Sequence, residues 1–165
     1  MSDTHTMPDA LQTAMGAFLA TLKAERQLPQ RLIELVRLRI AFHNQCRPCM
    51  SIRYNEAVAD GLTEGLVCSL EKPAEASDMT PAERECVLFA DRFASDHLSI
   101  DAAQLARLAE HLAPDEVREL AMHCAFFTGF GRMGAVFDTG DALPVGDRRS
   151  DGARLTPWGI EPAIV

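Results

Sequence analysis

Cys46-Arg47-Pro48-Cys49 sets two thiols three residues apart, and Glu34 lies twelve residues before the first of them. Side chains at this spacing share one side of a helical turn, so the pair can close a disulfide and exchange two electrons. The attacking species in such chemistry is the thiolate, favoured at a helix start or beside a cation. Pro48 suits a first turn, where its missing N–H would be unpaired anyway. On a continuous helix, Arg53 falls one turn after Cys49, on the same face, and would stabilise a Cys49 thiolate. It cannot act as a base, because a guanidinium stays protonated. Glu34 lies on an otherwise apolar helix and needs a partner if buried. Arg53 is the expected one, with Tyr54 or a thiol sharing the network. Other readings stand beside this one: a structural zinc site with His43 as third ligand, a pair of buried free thiols, or a Glu34–Arg53 salt bridge that only holds the fold.

The elements that must position these groups read as helices. Leu11, Met15, Phe18, Leu19 and Leu22 give an amphipathic helix from about Pro8 to Glu25. After Leu28-Pro29, a second helix spans about Gln30 to Asn44, with Leu32, Ile33, Val36, Ile40 and either Leu35 or Leu38 on a wide apolar face. A third is expected from Arg47 to Asp60-Gly61, with Gly61 as the left-handed stop. Thr63 caps a short helix ending near Leu70, and a polar loop covers 71–79. Thr80-Pro81-Ala82-Glu83 is a capping box that opens a helix to about Ser95. Two more follow, from Asp101 to about Leu112 and from Pro114 to about Phe137. Residues 1–138 thus make one helical domain. Residues 139–165, with three Pro and four Gly, read as an extended arm that could strap two subunits together.

At 165 residues the chain can bury a real core, and 47% apolar with only 6% aromatic residues suits packed helices better than a sheet. Sixteen Lys and Arg against 24 Asp and Glu give −8, which argues against nucleic acid or an anionic membrane as partner. No stretch is apolar enough to span a bilayer, and the N-terminus lacks a signal-peptide pattern, so a cytoplasmic location is expected. There a Cys-x-x-Cys is redox-active or metal-binding rather than structural. Cys68, Cys86 and Cys124 read as inert core thiols, and Met15, Met122 and Met133 as packing. His123 reads as a hydrogen-bonded core or interface residue, and His97 and His111 as solvated helix-end residues. Gly129-Phe130-Gly131-Arg132-Met133-Gly134 matches G-x-G-x-x-G but has a helix, not a strand, before it, so it reads as close helix packing rather than a nucleotide loop.

Glu34, eleven intervening residues and then Cys46-x-x-Cys49 resemble the core motif of the alkylhydroperoxidase D (AhpD)-like proteins of the carboxymuconolactone decarboxylase superfamily. The segments LPQRLIELVRLRIAFHNQCRPC, NEAVADGLTEGLV, MTPAERECVLFADRFA and LAPDEVRELAMHCAFFTGFGRMGAVFD extend the resemblance over about residues 28–138. It implies an all-α bundle of about six to seven helices, assembled as a homo-oligomer, a trimer or hexamer. It also implies a peroxidase-type oxidoreductase that reduces hydroperoxides with an external dithiol or thiol-protein reductant and requires no bound cofactor or metal. By position, Cys49 would be the attacking thiol, Cys46 the resolving thiol and Glu34 the relay carboxylate. The family's relay histidine falls at Arg53, which cannot pass a proton. That departure keeps an alternative open: a redox sensor without turnover, or a scaffold binding a small acid near Glu34 and Arg53.

Overall fold

A computed structural model describes residues 7–137 and 163–164 of the chain. Eight α-helices follow in order: α1 (Asp9–Ala24), α2 (Gln30–Asn44), α3 (Arg47–Ser51), α4 (Asn55–Ala59), α5 (Glu64–Ser69), α6 (Pro81–Ser95), α7 (Ala102–Ala109) and α8 (Pro114–Phe137). No helix among the described residues is long and apolar enough to cross a membrane.

The core is organised around α2. Ten of its residues, Leu32 to Leu38 and Ile40 to Phe42, are buried, because α6, α8, α3 and α4 all pack against it. Leu28, Leu70, Val87, Ala90, Leu108, Leu120 and Cys124 complete the interior. The expected caps form. Thr63 Oγ1 accepts from Leu66 N, Asp101 from Gln104 N, and Thr80 and Glu83 make a reciprocal box. Gly61 adopts the left-handed conformation, φ 89°. The amphipathic α1 buries none of its side chains; it touches α8 through Phe18 and Phe126, whose ring centroids lie 5.8 Å apart.

The largest departure from the sequence reading falls beside the cysteines. The expected helix from Arg47 to Gly61 is two short helices interrupted at Ile52–Arg53. The cause is competition for carbonyls. Arg37 Nη1 and Nη2 donate to Cys49 O and Ile52 O, each at 2.6 Å. Arg53 Nη1 donates to Met50 O at 2.6 Å and Ile52 O at 3.0 Å. Acceptors that would have continued the helical ladder are thus taken by two buried guanidinium groups. Ile52–Arg53 instead forms a short strand, β1, which pairs in parallel with β2 (Ala163–Ile164), Ile52 opposite Ala163 and Arg53 opposite Ile164. The rest of the anticipated C-terminal arm lies outside the described residues.

Candidate active site

Gln45 ends α2 in a left-handed conformation, φ 54°, and turns the chain back on itself. Cys46 then caps α3, and its carbonyl accepts from Met50 N at 2.9 Å. Pro48 occupies the first turn, as its chemistry favours. The two sulfurs are joined in a disulfide, with Cα atoms 5.2 Å apart. They differ in access. Cys46 is wholly buried, whereas Cys49 is half-buried and lines a cavity of about 260 Å³. α2 contributes Arg37 and Ala41 to that cavity, and α8 contributes Phe126, Phe127 and Phe130.

The glycines of α8 make this approach possible. A Cβ on Gly134 would stand 3.0 Å from Cys46 Sγ and 3.7 Å from Cys49 Sγ. One on Gly131 would collide with the Asn44 side-chain amide at the end of α2. Gly129 has nothing within 4 Å. The G-x-G-x-x-G segment therefore lies inside an unbroken helix, and two of its glycines let α8 lie against the disulfide and α2.

Glu34 is 1% exposed and is held by Arg37, one turn further along α2. Arg37 Nε donates to Oε2 at 2.7 Å and Nη2 to Oε1 at 2.6 Å. Burial opposes the Arg37 charge, but the Glu34 carboxylate outweighs it and raises the guanidinium pKa above its ordinary value. The same guanidinium lies 5.2 Å from the Tyr54 ring centroid, so Tyr54 joins a network built on Arg37 rather than on the expected Arg53. One buried cation thus links the carboxylate to the backbone of Cys49.

The expected Glu34–Arg53 pair is not formed. Arg53, buried on β1, turns to Glu64 instead, with Nε to Oε1 at 2.9 Å. The broken helix removes the turn that would have placed Arg53 on the face of Cys49, and Arg53 does not line the Cys49 cavity. His43 also faces elsewhere: its Nε2 meets Asp91 Oδ1 of α6 at 2.6 Å, beside Arg39, so it is not a third ligand to the cysteines. Two further corrections concern burial. Cys68 is exposed, leaving Cys86 and Cys124 as the core thiols; burial raises the Cys86 pKa to about 12 and that of Cys124 further. Met122 and Met133, read as packing, are 49% and 41% exposed. His123 is buried, as anticipated, but neither ring nitrogen has a hydrogen-bond partner among the described residues.

The profile of the carboxymuconolactone decarboxylase family matches residues 8–92, which include Glu34, Arg37 and both cysteines of the pair. The chain belongs to that family. No curated protein matches the sequence significantly. Two solved structures share the family's AhpD-like fold with it. One is the alkylhydroperoxidase AhpD core of an uncharacterised peroxidase-related protein from Ralstonia eutropha JMP134, with a TM-score of 0.65, 19% identity, and coverage of 78% of this chain and 68% of that one. The other is a protein of unknown function from Agrobacterium tumefaciens proposed as an AhpD antioxidant-defence protein, with a TM-score of 0.66, 21% identity, and coverage of 81% and 90%. Within the AhpD-like framework, Arg37 and the α8 phenylalanines are the site residues that sequence reasoning missed, while Gly134, read as close helix packing, packs against the disulfide. For Arg37 a signal was present: it lies three residues after Glu34, on the same buried face.

Proposed function

We propose that the chain is a dithiol oxidoreductase of peroxidase type, which reduces hydroperoxides with an external dithiol or thiol protein. The observation that carries this reading is the asymmetry of the pair: Cys49 lines a cavity while Cys46 sits enclosed and already bonded to it. In the reduced pair the Cys49 thiolate attacks one oxygen of ROOH. The O–O bond breaks, the alkoxide takes a proton from water and leaves as ROH, and Cys49 becomes a sulfenic acid. The Cys46 thiol attacks that sulfur; the S–S bond forms, the S–O bond breaks and water leaves. One thiol of the external reductant then attacks Cys49 Sγ and expels Cys46 as a thiolate. The second reductant thiol resolves the mixed disulfide, so the reductant ends as a disulfide and both cysteines are reduced.

Glu34 acts here by holding Arg37, and Arg37 by fixing the Cys49 carbonyl and placing positive charge near the thiolate. A homo-oligomer, expected from the family resemblance, and a cytoplasmic location, expected from the sequence pattern, belong to this proposal. One observation favours a second reading, a redox sensor. No histidine lines the Cys49 cavity among the described residues, so proton transfer relies on water. Steady-state consumption of cumene hydroperoxide with excess dihydrolipoamide separates the two. Sustained turnover that vanishes in Cys49→Ser is the peroxidase result. A single stoichiometric oxidation without turnover is the sensor result.

A further inference from the structure

A second cavity of about 560 Å³ adjoins the first and shares Arg37, Tyr54, Phe126 and Phe127 with it. Its apolar wall comes from Leu19 and Leu22 of α1, Ile33 of α2 and the two phenylalanines. The charges facing it do not balance. Lys23 is paired with Glu56 at 2.6 Å and Arg37 with Glu34, while Arg26 hydrogen-bonds the neutral side chain of Gln30. Among the described lining residues, three cations therefore meet two carboxylates.

His123 supplies an independent observation. It lines the same cavity, is only 5% exposed, and neither ring nitrogen makes a hydrogen bond among the described residues, although Nε2 faces Glu119. A buried polar group without a hydrogen bond is unfavourable, and a bound polar ligand would relieve that cost. The nearest acid, Glu119, stands 3.6 Å away at Oε1, outside the cavity lining, and its carboxylate accepts from Gln27 N at 3.0 Å and Leu28 N at 3.4 Å. Burial, helped by Arg26 and opposed by Glu119, lowers the His123 pKa, so the ring is a neutral donor at pH 7.

We propose that this cavity binds a monocarboxylate with an apolar body, its carboxylate held by Arg26 and donated to by His123, and its body lying against Leu22, Ile33, Phe126 and Phe127. Glu119 lies outside the lining with its oxygens on backbone N–H groups, so among the described lining residues Arg26 is the cation without an ion pair, and a ligand bringing one negative charge would complete the wall. Binding needs no thiol chemistry, and it stands or falls separately from the peroxidase reading.

The test is calorimetric titration of the oxidised full-length chain, with no peroxide present, using decanoate and the uncharged 1-decanol. Decanoate is expected to bind saturably at one per chain, and 1-decanol about tenfold or more weakly, as loss of a charge-assisted contact implies. Arg26→Gln changes a half-exposed side chain, so the variant should keep the fold. It is expected to weaken decanoate about tenfold and leave 1-decanol unchanged. The His123 ring resonances should shift with decanoate. The inference is overturned if decanoate gives no saturable binding, if the two probes bind alike, or if Arg26→Gln leaves decanoate affinity intact.

Discussion

Arg37→Met is the most informative substitution in the framework of the site. It keeps the apolar stem but removes the only cation bonded to Glu34 among the described residues, leaving a carboxylate that is 1% exposed without a counter-charge. Breaking one side of a buried pair in this way costs about 3–5 kcal/mol. Cys49 O and Ile52 O lose their Arg37 donors as well, at about 0.5–1.5 kcal/mol each. Against a typical total stability of about 5–15 kcal/mol, the variant should be severely weakened. The double variant Glu34→Leu/Arg37→Met removes both charges and should be more stable than Arg37→Met alone, because it buries no orphaned carboxylate. Urea unfolding under non-reducing conditions keeps the disulfide constant, and an unchanged slope would certify the comparison. The reasoning is refuted if Arg37→Met lies within about 1 kcal/mol of the parent, below the cost of any orphaned buried charge. Simple additivity of the two single substitutions in the double variant would refute it as well.

Other predictions rest on separate features. Gly129→Ala, which meets nothing, should stabilise α8 by up to about 1 kcal/mol in thermal unfolding. Gly131→Ala should destabilise instead, since its Cβ displaces Asn44, whose Nδ2 donates to Phe127 O at 3.0 Å. The lowered His123 pKa means that, below its ordinary value of 6.5, the unfolded chain binds more protons than the folded one. Stability from this group is therefore complete above that pH and falls as the pH drops towards the folded pKa; His123→Phe should flatten that part of the denaturation profile. Iodoacetamide at neutral pH should label Cys68 in the native oxidised chain and spare Cys86 and Cys124, which peptide mapping can read.

Much of the scaffold was legible because its signals are local. Thr63, Thr80-Pro81-Ala82-Glu83, Asp101 and Gly61 each fix an element end through one turn of backbone hydrogen bonding, and each sits where its chemistry predicts. Cys46 and Cys49 were legible for the same reason. The break at Ile52–Arg53 was not, because a residue far back on α2, Arg37, competes for the carbonyls that would continue the helix. That one event also sends Arg53 to Glu64 and leaves Glu34 to Arg37. Gly134 could be read as a packing glycine, but what it packs against depends on how α8 crosses α3, a tertiary fact. The exposure of Cys68 turns on which side of the short α5 faces the core, and a six-residue helix carries too little periodicity to decide that.

The central claim is that Cys46 and Cys49 act as one selective redox pair with Cys49 as the reactive sulfur. Peptide mapping by mass spectrometry, after adding one equivalent of cumene hydroperoxide to the fully reduced chain, addresses it most directly. The account predicts a Cys46–Cys49 disulfide with Cys68 still a free thiol, and a sulfenic acid trapped by dimedone on Cys49 when Cys46 is replaced by Ser. Oxidation that falls first on Cys68, or a Cys49 that takes no dimedone in that variant, would contradict it.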